Sequence, residues 1–129
     1  MKGQYIFQNL NPNGIFVGDC AVRAIAEALN LSWDKAYIEL ADYGFRMKNL
    51  PNSNEVWGAC LYAHDFYKQA LPEVYPDRYT IKRFCEEHPR GTFVLATGSH
   101  VVTSRNGCYF DTWDCGDETP LYYFYRRQA

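Results

Sequence analysis

The sequence lacks a hydrophobic run long enough to cross a bilayer, and no signal-peptide apolar segment follows Met1-Lys2-Gly3-Gln4-Tyr5. It also lacks an excess of charge, since 13 Lys and Arg face 15 Asp and Glu and leave a formal net charge of −2. Nucleic acids and anionic membranes bind strongly basic surfaces. The near balance of positive and negative charge argues against such a surface. We therefore expect a protein that binds neither nucleic acid nor membrane. The expected compartment is the cytoplasm, with export by another route left open.

Cysteine is present, but no pairing pattern accompanies it. The five cysteines are an odd number at irregular intervals, which favours free thiols in a reducing compartment over a disulfide framework. Cys60 and His64 stand four residues apart, a spacing that some zinc sites use. Cys85 and His88 stand three apart, but no Cys-X-X-Cys motif accompanies either pair. The sequence therefore predicts no metal site and no cofactor.

Helical patterns occupy the first two thirds of the chain. Helices are predicted over residues 20–30, 33–43, 54–70 and 81–87, after an irregular segment over residues 1–17. Asp19, Ser32 and Thr80 stand at the N-cap positions of the first, second and fourth helices. Gly44 is expected to end the second helix. Apolar residues follow Val22 at helical spacing, as they do on a helix that packs against a core.

Strand patterns occupy the last third, over residues 92–97, 100–104, 108–113 and 121–126. Asn106-Gly107 lies between two of them, and Asn-Gly is a strong signal for a two-residue hairpin turn. Helices followed by an antiparallel sheet give an α+β fold. No repeat or linker divides residues 1–129, so we expect one domain with its helical half packed on the sheet.

Cys20 is the residue that points most directly to a function. It follows Gly18-Asp19 and stands at the predicted start of the first helix. Backbone N–H groups are unpaired there and the helix dipole is positive. Both effects favour the thiolate, which is the nucleophilic form of cysteine.

The hairpin register predicts a partner pair for this thiol. If Asn106-Gly107 is a two-residue turn, Arg105 pairs with Cys108, His100 faces Trp113, and Asp111 faces Val102. Because side chains alternate along a strand, His100 and Asp111 then share a face as diagonal neighbours, with Cβ atoms roughly 5–8 Å apart. A slip of one residue would separate them.

These residues together suit nucleophilic catalysis. His100 would take the Cys20 proton, and Asp111 would accept a hydrogen bond from the other imidazole nitrogen. The Cys20 backbone N–H would donate to an oxyanion, with the Asn13 side chain as second donor and Asn11 and then Gln8 as the alternatives. Trp113 is expected to form part of the cleft wall and to shield the bond between His100 and Asp111 from water.

Three segments carry a resemblance to a known family: Gly18-Asp19-Cys20, Gly98-Ser99-His100-Val101-Val102 and Gly107–Asp114. With them the chain resembles papain-like cysteine peptidases, above all the small single-domain members from bacteria and their phages. The resemblance implies a papain-like fold and Cys20, His100 and Asp111 as nucleophile, base and orienting residue. It also implies a peptide or protein substrate cleaved at a peptide or isopeptide bond. The papain group proper has asparagine where this chain has Asp111, and its oxyanion glutamine falls where this chain has Gly14.

Several functions remain open at this point. Relatives of this clan also hydrolyse side-chain amides or transfer acyl groups. A peptidoglycan amidase or endopeptidase of the Cys/His-dependent type would share the helix-start cysteine and the strand histidine. A non-enzymatic interaction protein could keep the same fold with an unused site. A buried Cys20 far from His100 would identify this last class.

Overall fold

The computed structural model describes residues 3–72 and 78–126. These residues form four α-helices and one six-stranded sheet, so the predicted α+β class is confirmed. The helices are α1 (Cys20–Leu29), α2 (Trp33–Met47), α3 (Asn54–Ala63) and α4 (Ile81–Glu87). The strands are β1 (Gln4–Phe7), β2 (Phe66–Ala70), β3 (Thr92–Ala96), β4 (Val101–Arg105), β5 (Cys108–Asp111) and β6 (Tyr122–Arg126). No helix in the described part of the chain has the length and apolar character needed to span a membrane.

The sheet has the order β1-β5-β4-β3-β6-β2. Its neighbours pair antiparallel except β1, which runs parallel to β5. The expectation of a purely C-terminal, antiparallel sheet was therefore wrong at both edges. Residues 1–17 were expected to be irregular, yet β1 lies within them and pairs with β5 from Gln4 opposite Cys108 to Phe7 opposite Asp111.

The turn between β4 and β5 has the predicted type. Arg105 pairs with Cys108, and Asn106 and Gly107 have φ angles of 51° and 81°. Positive φ at both central residues defines the type I′ turn, whose twist matches that of the flanking strands. The register that brings His100 and Asp111 to one face is thereby established.

Two helix ends differ from the prediction. Gly44 does not end α2, which continues to Met47. A Cβ atom on Gly44 would lie 2.7 Å from the Asn49 carbonyl oxygen, so glycine is needed here because the following loop folds back onto the helix. The reversal itself falls at Lys48, which has a φ of 57°.

The third helix is shorter than predicted. It ends at Ala63, and Asp65 with a φ of 67° turns the chain into β2. The segment Phe66–Ala70 was expected to be helical but forms a strand paired with β6. Pairing with a segment more than fifty residues later in the chain decides this outcome, and local helix propensity carries no information about it.

Alternation along the central strands divides the core into two clusters. Val94 and Phe124 pack with α1, α2 and α3 on one face of the sheet. Leu95, Val102 and Tyr109 pack with α4 on the other face. The molecule therefore has three layers. In the layer of three helices, α1 packs against β4 and α2, and α3 packs against β2.

Polar bonds fasten α1 to β4. The Thr103 hydroxyl donates to the Ala24 carbonyl oxygen at 2.7 Å, and Arg105 Nε donates to Glu27 Oε2 at 3.0 Å. Residue numbers rise together in these two pairs, so the helix and the strand run in the same direction. This direction sets what stands beside the first residue of the helix.

Candidate active site

The packing of α1 on β4 brings Cys20 to the start of that strand. A helix rises about 1.5 Å per residue and a strand about 3.3 Å. Cys20 lies four residues before Ala24 on the helix, and Val101 lies two residues before Thr103 on the strand. Because these two stretches have similar lengths, Cys20 lies beside Val101. A hydrogen bond between the Cys20 sulfur and the Val101 backbone agrees with this register.

His100 and Asp111 form the predicted pair. His100 immediately precedes β4, and Asp111 is the last residue of β5. His100 Nε2 lies 2.5 Å from Asp111 Oδ2. Asp111 is almost completely buried, with 1% of its side chain exposed, so water competes little for this bond. The bond occupies Nε2 and leaves Nδ1 as the imidazole nitrogen for Cys20.

Cys20 and His100 are electrostatically coupled. Burial opposes ionisation of Cys20, but hydrogen bonds to His100 and to the Val101 backbone outweigh it and lower the pKa of the thiol. Burial likewise opposes the charged form of His100, yet hydrogen bonds to Asp111 and Cys20 raise its pKa to about 9. Both directions favour a thiolate–imidazolium pair at neutral pH.

The three buried thiols have pKa shifts in the opposite direction. Burial raises the pKa of Cys60 and of Cys85 to about 12, and it raises the pKa of Cys115 further. These three thiols stay protonated at neutral pH and are poor nucleophiles. By contrast, the pKa is lowered at the partly buried Cys20, where the sequence placed the nucleophile.

Asp111 is fixed from several directions. Its Oδ1 accepts hydrogen bonds from Arg23 Nη1 and from the Thr112 backbone N–H, both at 2.8 Å. The Cys115 thiol also hydrogen-bonds to this carboxylate. Although burial opposes ionisation, the bonds from His100 and Arg23 lower the pKa of Asp111. The carboxylate is therefore charged and held in one orientation toward the imidazole.

Arg23 is the site residue that sequence reasoning missed. Its Nε donates to Asp19 Oδ1 at 2.8 Å, while its Nη1 reaches Asp111. Asp19 occupies the N-cap position as predicted, but its side chain makes no cap hydrogen bond. It binds Arg23 and accepts from Trp33 Nε1 at 2.9 Å instead. The sequence signal for this ion pair was the separation of four residues between Asp19 and Arg23, which brings an acid and a base together along a helix.

The other two predicted site residues differ in their surroundings. The Trp113 ring packs against His100 in a tilted arrangement, with ring centroids 5.0 Å apart, and 45% of its surface is exposed. It thus covers one side of the imidazole, as expected of a cleft wall.

Asn13 lies in an exposed turn, where its backbone N–H donates to Asn11 Oδ1 at 2.9 Å. Its role as oxyanion donor stays a prediction.

A metal ion fits this site poorly. One ligand atom each from His100, Asp111 and Cys115 lies within 4.8 Å of the others. However, the Arg23 guanidinium already neutralises the carboxylate and would repel a dication at this position. The arrangement suits nucleophilic chemistry without a metal.

Comparison with protein-family models, curated proteins and solved structures finds no match for this chain.

Proposed function

We propose that this protein is a thiol hydrolase that cleaves a peptide or isopeptide bond through a thioester on Cys20. The observation that carries the proposal is the pairing of a helix-start thiol with an imidazole whose second nitrogen bonds to a buried carboxylate at 2.5 Å. A buried Cys20 remote from His100 would have favoured an interaction protein, and the hydrogen bond between them supports an enzyme instead.

The reaction follows from the protonation states. The Cys20 thiolate attacks the substrate carbonyl carbon, and the tetrahedral intermediate carries the negative charge on oxygen. The His100 imidazolium gives its proton to the leaving nitrogen as the C–N bond breaks, which leaves a thioester and a neutral imidazole. A water molecule, deprotonated by His100, then attacks the thioester, and the carboxylic acid departs as the thiolate is restored.

The surroundings of Cys20 supply electrostatic stabilisation. As the first residue of α1, it offers a backbone N–H that the helix does not use. This donor and the positive end of the helix dipole would stabilise the oxyanion. The second donor that we propose is the Asn13 side chain, in the exposed turn seven residues before the nucleophile.

A papain-like arrangement is part of the same proposal. Helix α1 carries the nucleophile, and the ends of two antiparallel strands carry the base and its orienting acid. The division of the three residues between a helical layer and a sheet supports this assignment. With Asp111 in place of asparagine, the chain would be a variant of the papain pattern.

Exposed apolar side chains near the site support a peptide substrate. Phe16 lies four residues before Cys20, and its ring contacts Phe7 with centroids 6.5 Å apart. Both are largely exposed, and Phe7 pairs in register with Asp111. Together with Trp113, they would contact apolar side chains that flank the scissile bond.

The first test is the pH dependence of Cys20 alkylation by iodoacetamide, measured by peptide mass spectrometry. We expect Cys20 to react well below pH 8, and faster than the four other cysteines. In His100→Ala the profile should move to higher pH because the imidazolium no longer stabilises the thiolate. His64→Ala, which removes a partly exposed histidine bonded to Glu39, should leave the Cys20 profile unchanged.

Substrate cleavage is tested with a library of peptide amides and isopeptide-linked peptides. Turnover that is lost in Cys20→Ala, with a thioester trapped at Cys20 on acid quenching, would support the proposal. If Cys20 is alkylated no faster than the other cysteines, the hydrolase proposal fails.

A further inference from the structure

A second cluster of reactive side chains lies between α2 and α3, away from the candidate active site. Glu39 of α2 meets Cys60 of α3 and His64, which caps the same helix. The Cys60 sulfur lies 3.6 Å from Glu39 Oε1, and His64 Nε2 bonds to that same oxygen. One ligand atom from each residue lies within 4.8 Å of the others.

We propose that Glu39, Cys60 and His64 bind a zinc ion that links α2 to α3, with water as the fourth ligand. Sulfur, imidazole nitrogen and carboxylate oxygen are the donors that Zn²⁺ binds in proteins, with four ligands in a tetrahedron. A cysteine and a histidine four residues apart on one helix present their donors on the same side.

The distances between donors suit a tetrahedral ion. Zn–S and Zn–O bonds of about 2.3 and 2.0 Å at a tetrahedral angle place sulfur and oxygen about 3.5 Å apart. The observed separation between Cys60 Sγ and Glu39 Oε1 is 3.6 Å. The His64 imidazole, bonded directly to Glu39, must turn outward to admit the ion. It has room to do so, because 36% of its side chain is exposed and the helix ends there.

Burial and charge support the same site. Cys60 is fully buried, whereas 28% of the Glu39 side chain is exposed, so the cluster reaches from the core to solvent on one side. A thiolate and a carboxylate together carry two negative charges, which neutralise Zn²⁺. On binding, the thiol proton that Cys60 shares with Glu39 goes to solvent. An imidazole that donates from Nε2 to Glu39 releases that proton to solvent and takes one up at Nδ1, so Nε2 is free to bind the ion and the number of protons on the ring is unchanged.

The experiment uses Co²⁺ as a spectroscopic substitute for Zn²⁺ in the full-length Cys20→Ala variant, which removes the reactive thiol of the candidate active site. We expect one equivalent of Co²⁺ to give visible tetrahedral d–d bands and a thiolate charge-transfer band in the near ultraviolet. Stoichiometric Zn²⁺ should displace it and raise the melting temperature.

Ligand variants in the same background identify the site. Cys60→Ser should abolish the charge-transfer band, and Glu39→Gln and His64→Gln should each weaken Zn²⁺ binding about 10-fold or more. The last two residues are partly exposed, so these variants test the site even if Cys60→Ser fails to fold. Asp42→Asn, which removes a largely exposed carboxylate one turn further along α2, is the matched control and should bind normally.

Three results would overturn the zinc proposal: no charge-transfer band in the Cys20→Ala protein, a band that persists in Cys60→Ser, or affinities unaffected by Glu39→Gln and His64→Gln. A band present in wild type and absent from Cys20→Ala would place the ion at the candidate active site instead. None of these outcomes depends on whether the protein hydrolyses a peptide, so this proposal and the proposed function can fail separately.

Discussion

Arg23 Nη1 lies 2.8 Å from Asp111 Oδ1, in a salt bridge where 10% of the arginine and 1% of the aspartate side chain are exposed. Arg23 stands on the helix that begins with Cys20, three residues after the thiol. The helix that carries the nucleophile therefore also holds the carboxylate that orients His100. The bridge thus fixes the start of α1, which carries Cys20, against the strand end that carries Asp111.

Replacing Arg23 with methionine should destabilise the protein strongly. The change leaves buried Asp19 without its cation and leaves buried Asp111 with His100 as its remaining charged partner. Breaking a buried pair in this way costs about 3–5 kcal/mol. Arg46→Met is the matched control, since its bridge to Asp42 is 60% exposed on both sides and is worth about 0–1 kcal/mol. Urea unfolding at pH 7 measures both. Equal losses for the two variants would contradict a structural role for the Arg23 bridge.

Asp111→Asn should move the alkylation profile of Cys20 upward by about one pH unit or more. Removing an opposite charge at hydrogen-bond distance lowers the pKa of His100, so the imidazolium no longer stabilises the thiolate at neutral pH. Peptide-resolved alkylation rates between pH 5 and 10 measure the change. Asp117→Asn removes an exposed acid from the following loop and should leave the profile in place. If both variants gave the same alkylation profile, Asp111 would not influence the ionisation of Cys20.

The charge on His100 should make stability depend on pH in a defined direction. Its pKa is raised from 6.5 to about 9, so its contribution is complete below about pH 6.5 and is lost as the pH rises toward 9. We expect the difference in unfolding free energy between Cys20→Ala and Cys20→Ala/His100→Gln to shrink over that interval. Removing the thiol in both proteins excludes its own titration. It also removes the contribution of Cys20 to the pKa of His100, so the loss is complete at a lower pH than in wild type, while Asp111 still raises that pKa. Denaturant unfolding from pH 6 to 10 measures this difference in unfolding free energy. A difference that grows with pH would mean that folding lowers the pKa of His100 and does not raise it.

Gly107→Ala should destabilise the hairpin that holds the site. Gly107 has a φ of 81°, a left-handed conformation that costs a residue with a side chain about 1–2 kcal/mol. Gly18→Ala is the control, because no atom lies within 4 Å of the added carbon and the change should stay within about 0.5 kcal/mol. Thermal unfolding compares the two. Similar melting temperatures for both variants would show that a side chain at the positive φ of Gly107 has no measurable cost.

Local signals predicted the parts of the fold that local interactions determine. Ser32 and Thr80 cap α2 and α4 as expected, each accepting a hydrogen bond from a backbone N–H three residues later. The Asn106-Gly107 turn set the register of its hairpin because two positive φ angles suit few other residue pairs. With that register, the contact between His100 and Asp111 followed from alternation alone.

Long-range pairing determined the parts that were missed. Strand β1 exists because it lies parallel to β5, about a hundred residues later, and β2 exists because it pairs with β6. Neither segment contains a local pattern that distinguishes a strand from a loop or the end of a helix. Such pairings join segments that are distant in sequence, so local propensity does not predict them.

By itself, the sequence determined the α+β class, the helix that begins at Cys20, and the shared face of His100 and Asp111. Each of these depends on residues within about a dozen positions of one another, through caps, periodicity and one turn. Only the tertiary structure decided that the thiol meets the imidazole and that Arg23 joins Asp19 to Asp111. It alone also brought Glu39 to Cys60 and His64. These contacts form where separate elements pack together, and the packing of helices on a sheet is set by the whole core.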